Sequence, residues 1–202
     1  MQNNLFIVGF AGLLALSGQS YGQTPKKVVD FLAVPGPIVV QQQAHQLVWS
    51  SHADASLYKH EYLPAGDAFP NYKSLVTIDF LVTESSLDQA VAIKTRQLEQ
   101  LKRAKADVQY EIIANPATGE KIIDCLIGQT AANEQNSVLE RDVYRYQAIK
   151  AKTGQRGIVL FALSTRKYGK DMQPFLVKLQ TDRPTLISEV AKLRMPEIRV
   201  VQ

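Results

Sequence analysis

The longest uninterrupted apolar run after the N-terminal region is Ile158 to Leu163. It is far short of the ~20 residues that span a hydrocarbon core, and it has the length of a strand. A strand with apolar side chains on both faces must be covered on both faces, which gives Gly157 to Thr165 a central place in a sheet. Just before it, Val138 to Ile149 alternates, with Leu139, Val143 and Ile149 opposing Tyr144, Tyr146 and Ala148. The chain turns between them over Lys150 to Gln155, at Gly154, so the two strands read as a β-hairpin. The remaining elements have to be arranged around that hairpin.

Upstream, Ile38 to Val40 and Gln46 to Ser50 read as short strands on either side of Gln41-Gln42-Gln43. Leu57 to Leu63 places Tyr58, His60 and Tyr62 on one face, and Pro64-Ala65-Gly66-Asp67 forces a turn. Leu75 to Val82 alternates cleanly. Val108 to Ala114 and Lys121 to Gly128 form a strand pair around Asn115-Pro116-Ala117-Thr118-Gly119. The helical period appears twice. Ser86 with Gln89 is a capping box that opens a helix over about 87–105, whose stripe is Leu87, Val91, Lys94, Leu98 and Leu101. Lys102, Arg103 and Lys105 offset its dipole. A second helix over about 172–194 opens near Asp171 and carries Phe175, Leu176, Leu179, Leu186, Ile187, Val190 and Leu193 in phase. Pro184 costs ~3 kcal/mol in a helix interior, so either one kinked helix or two abutting ones with Asp182 capping the second is expected. Pro196 ends it, and Ile198 to Val201 is a candidate short strand. The predicted class is α+β: a mostly antiparallel sheet flanked by an internal and a C-terminal helix.

Leu5 to Leu16 is apolar and uncharged, and Ser20-x-Gly22 is a small-x-small pattern. Together they predict a signal peptide over 1–22, cleaved before Gln23. Gly9, Gly12 and Gly18 count against the alternative of a buried N-terminal helix. An extended lead-in follows over 23–37, in which Val28 to Leu32 docks as a short strand or leads in freely, and a single domain occupies 38–202. The chain is thus expected to be exported, periplasmic or extracellular. The one cysteine, Cys125, excludes an internal disulfide, and its place between Ile123 and Ile127 in period-2 register predicts burial. The net charge of +4 comes without a dense basic stripe or a nucleic-acid motif, so no nucleic-acid partner is expected.

Catalytic patterns are sparse. His45, His52 and His60 lie close in sequence, but their spacings fit no zinc template, and no metal site is assigned. There is no Gly-x-Ser-x-Gly elbow and no phosphate-cradling loop. Glu140 and Asp142 could be drawn as a carboxylate pair, yet alternation with Arg141 and Arg145 reads as a solvated face. Tyr144 and Tyr146, with Tyr110 across from them, read as core under a helix. No catalytic, cofactor or metal residue is assigned.

The order of elements resembles the Mog1/PsbP-like fold. The stretch Glu61-Tyr62-Leu63-Pro64-Ala65-Gly66-Asp67 with Asn71-Tyr72 resembles a pattern of secreted bacterial proteins, roughly Glu-Tyr-x-Pro-x-Gly-Glu followed by Asn-Trp. Asp67 stands for the Glu and Tyr72 for the Trp. The resemblance implies an accessory, binding or chaperone role on an antiparallel sheet with two helices. The expectation is therefore an envelope-associated, non-enzymatic module binding a protein or small ligand. The alternative is a hydrolase whose site assembles around His52, His60 and nearby carboxylates.

Overall fold

The computed structural model describes residues 28–201; the signal peptide expected over 1–22 lies outside them. Eight strands form one curled sheet in which every pairing is antiparallel. Its order, β1-β2-β3-β4-β8-β7-β6-β5, consists of two four-strand meanders joined at their last strands. The first contains β1 (Ile38–Val40), β2 (Gln43–Asp54), β3 (Leu57–Pro64) and β4 (Ser74–Val82). The second contains β5 (Asp107–Ala114), β6 (Lys121–Gln129), β7 (Val138–Lys150) and β8 (Arg156–Tyr168). Helix α1 (Leu87–Arg103) carries the chain from the sheet centre to the β5 edge, and α2 (Met172–Lys192) follows β8.

β8 is central, as its apolar sequence requires: it pairs with β4 on one side and with β7 on the other. The β4–β8 seam is tight at Gly157, opposite Val82. A Cβ there would overlap the Leu81 carbonyl oxygen and come within 2.8 Å of the Phe80 ring. The expected hairpin of β7 and β8 is present.

The helices cover opposite faces. α1 starts at the Ser86–Gln89 capping box and buries Val91, Lys94 and Leu98 against Val108, Ile123, Cys125, Ile127, Ile158 and Leu160. Cys125 is a free, buried thiol, pushed well up by burial and the nearby Asp142. The other face holds Tyr58, Tyr62, Ile78, Phe80, Val159, Phe161 and Leu163, covered by α2 and by chain on either side of the strands. Leu32 and Val34 are buried in that core, so the end of the lead-in over 23–37 packs with the domain. Arg199 and Val201 donate backbone N–H bonds to the carbonyls of Leu32 and Phe31, and the two terminal segments lie side by side there without being a strand of the sheet.

Of the two expectations at Pro184, the single helix holds: α2 runs through the proline, with Asp171 at the N-cap position but making no side-chain cap bond. Asp182 does not cap a second helix. It accepts from the Thr181 hydroxyl and pairs with Lys178. Buried Leu179 and Val190 lie on either side of Pro184, and anchoring both halves on one sheet outweighs the local cost of the proline. Among the described residues no helix is long and apolar enough to cross a membrane.

Candidate functional site

The three histidines do not converge. His45 is buried. Its Nδ1–H donates to the carbonyls of Gln43 and Ile38, and its Nε2 accepts from the Ser74 hydroxyl at 2.8 Å. His60, with no exposed surface, accepts the Phe31 N–H at Nε2 (3.1 Å) and donates from Nδ1 to the Tyr62 hydroxyl (3.1 Å). Tyr62 in turn donates to the Val34 carbonyl at 2.6 Å. Burial lowers both imidazoles from their ordinary range, and both act as neutral ties; His60 holds the Phe31–Val34 segment to β3. His52 stacks on Tyr58 with ring centres 4.0 Å apart. Neither His52 nor His60 lines the cleft described below, and no metal-competent cluster of His, Cys, Asp and Glu exists among the described residues.

The motif Glu61 to Asp67 with Tyr72 is accounted for by the β3–β4 connection. Gly66 takes φ +88, and Asp67 Oδ2 accepts the N–H groups of Lys73 and Ser74 at 2.7 and 2.9 Å. That carboxylate fixes the start of β4. Tyr72, standing where the pattern has Trp, is fully buried with the Arg166 guanidinium 4.0 Å over its ring.

The solvated-face reading of β7 is wrong. Glu140, Arg141, Asp142 and Arg145 are all buried, because alternate residues of β7 face two covered sides. On the α2 side, Arg145 pairs with Glu120 and donates from Nη1 to the carbonyls of Val190 (3.0 Å) and Leu193 (2.6 Å). It satisfies acceptors that a helix C-terminus leaves open. Arg141 pairs with Asp124, which also takes Arg183 of α2.

On the α1 side, Tyr144 donates to Asp142 at 2.8 Å, and Lys94 Nζ lies 3.9 Å from the Tyr144 ring centre. Burial and Asp142 push the Glu140 carboxyl up, while Arg166 Nε, at 2.6 Å, pulls it back. Asp79 sits in the same layer, 3.9 Å from Lys59. Burial raises it to about 6 and raises Glu61 to about 7. Both Asp79 oxygens, Asp142 Oδ1 and the Tyr146 hydroxyl are buried without a hydrogen-bond partner. Such a layer is costly to bury.

An opening lies on the other face. A cleft of about 420 Å³ lies between α2 and the sheet, within the size range of small-molecule sites. Its floor is Val143 and Leu163, and its roof is Pro174, Phe175, Leu179 and Leu186. Arg141, Thr165 and Lys167 supply polar groups to the floor, and Asp171, Lys178, Asp182 and Gln41 stand around it. Arg141 pairs in register with Thr165, and Val143 with Leu163, so the polar and apolar parts occupy successive levels. The cleft continues outward toward the β1–β2 turn at Gln41 and Gln42. None of its residues stands out in the sequence as a site, because the gap depends on how far α2 stands off the strands.

No curated protein matches the chain. A protein-family model matches residues 32–195, a span running from the buried Leu32 past the end of α2 and holding both the polar layer and the cleft. The chain belongs to that family.

Proposed function

We propose that this protein is a non-enzymatic binding module of the cell envelope, exported by its N-terminal segment, that takes a small, mainly apolar ligand into the cleft beneath α2. One observation carries the reading. The cleft sets an apolar stretch of floor and roof (Val143, Leu163, Phe175, Leu179 and Leu186) beside polar groups from Arg141, Thr165 and Lys167, and apolar walls with placed polar groups are the usual make-up of a binding pocket. The polar layer under α1 has the residue types of an active site, but those residues are buried. The cleft under α2, by contrast, has accessible surface for a guest.

Methyl-resolved NMR titration with short-chain amphiphiles tests the reading. The Val143, Leu163, Leu179 and Leu186 methyls are expected to shift together and to saturate. Leu186→Lys, which sets a charge in the roof, is expected to weaken binding at least tenfold without unfolding the protein. Saturable binding that Leu186→Lys leaves unchanged would place the ligand elsewhere.

A further inference from the structure

We propose that the ligand of the α2 cleft is an amphipathic carboxylate, its anionic head held by Arg141, Thr165 and Lys167 and its apolar body lying along Leu163, Leu179 and Leu186. This rests on the cleft being the binding site and adds the chemical class of what fills it.

The sheet sets the direction of the guest. Leu139–Lys167, Arg141–Thr165 and Val143–Leu163 are successive register pairs on β7 and β8. Lys167 and Thr165 lie toward the end of β8, next to the start of α2, while Leu163 lies further in. Along the floor, the donors of Lys167, Thr165 and Arg141 are therefore followed by Leu163 and Val143. The floor groups at that end call for an acceptor on the guest: Arg and Lys side chains carry no acceptor, and the Thr hydroxyl can donate.

Arg141 supplies the independent sign of a missing partner. It is 5% exposed. Its Nε donates to Asp124 Oδ1 at 2.9 Å. Its Nη2 lies 2.7 Å from the same oxygen but is not aligned for a hydrogen bond and has no other partner. The two contacts crowd one oxygen, where a bidentate guanidinium pair would use both. The second oxygen, Asp124 Oδ2, is taken by Arg183 Nε, so one buried carboxylate serves two guanidinium groups. Glu111 also pairs with Arg183 at the exposed end of that side chain, so two carboxylates face two guanidinium groups, and what Arg141 lacks is a hydrogen-bond acceptor at Nη2 rather than a counter-charge. Lys167 Nζ lies 5.9 Å from the Phe175 ring centre, and no carboxylate lies within ion-pair reach of it among the described residues. Asp171 opposes an anion here. Asp182, further along α2, is held by Lys178 at 3.5 Å. A carboxylate accepting from Arg141 would form a charge-assisted bond, about twice as strong as a neutral one.

Octanoate, octanol and octylammonium, titrated by calorimetry against the full chain, test the class. Octanoate is expected to bind at least tenfold more tightly than octanol, with octylammonium weakest. Lys167→Gln, at the edge of the cleft, is expected to weaken octanoate several-fold and leave octanol unchanged. Arg141→Lys is expected to do the same more strongly. If that variant fails to fold, Thr165→Val supplies the second arm. Equal affinity for octanoate and octanol, or preference for octylammonium, overturns the carboxylate assignment while the cleft stands. If none of the three binds, or if Leu186→Lys leaves octanoate binding intact, the cleft reading falls with it.

Discussion

Lys94 occupies a place in the α1 stripe where the helical period calls for a leucine, and it is buried above two aspartates of the sheet. Its ammonium over the Tyr144 ring gains a cation–π contact, and burial is the main force lowering its pKa. Asp79 shows the cost of such a layer. Burial holds its folded value near 6, above the ~3.9 of an exposed aspartate. Stability from this group is therefore fully present below pH ~4 and lost as pH rises through about 6. Asp79→Asn is neutral at every pH. It is predicted to stabilise the protein by roughly 3 kcal/mol at pH 8 and to change little at pH 4, as measured by urea denaturation at both. Equal destabilisation at both values would mean that Lys59 and Lys94 repay the carboxylate in full. Gly157 makes the opposite kind of residue-scale demand. A Cβ there meets the Leu81 carbonyl and the Phe80 ring, and Gly157→Ala is predicted to cost ~2–3 kcal/mol as an overpacking change, read from the same denaturation curves.

At the scale of elements, what was legible in the sequence was local. Ser86 and Gln89 announce α1 because a capping box is made by residues three apart, and the apolar run of β8 announces a central strand because both its faces need cover. The charges of β7 were misread for the same reason. Glu140, Arg141, Asp142 and Arg145 alternate as a solvated strand would, and only the arrival of helices on both faces makes them buried pairs. Lys94 within an otherwise apolar stripe was the one hint that the α1 side would be polar. The fate of Pro184 was also set at long range. Because α2 continues through it, Pro184→Ala restores a missing N–H donor and is predicted to stabilise by ~1–3 kcal/mol, seen as a rise in Tm. A fall in Tm would show that the proline sets a curvature the cleft needs.

Across the whole molecule, the two meanders give one sheet with two differently used faces. The α1 face covers a buried polar layer, while α2 is tied to the other face by Arg183 to Asp124 and by Arg145 to the last carbonyls of the helix. Arg183 stands near the middle of α2 and the Arg145 ties at its C-terminal end, and the cleft opens beneath the helix from Pro174 to Leu186. The histidine-centred alternative is not assembled, since His60 is spent on Phe31 and Tyr62. The most direct test is a methyl NMR map of the full chain with octanoate added. The account predicts shifts confined to Val143, Leu163, Leu179 and Leu186, with Ile123, Ile127 and Leu98 beneath α1 unmoved. Shifts centred on the α1 face, with the α2 methyls still, would contradict it.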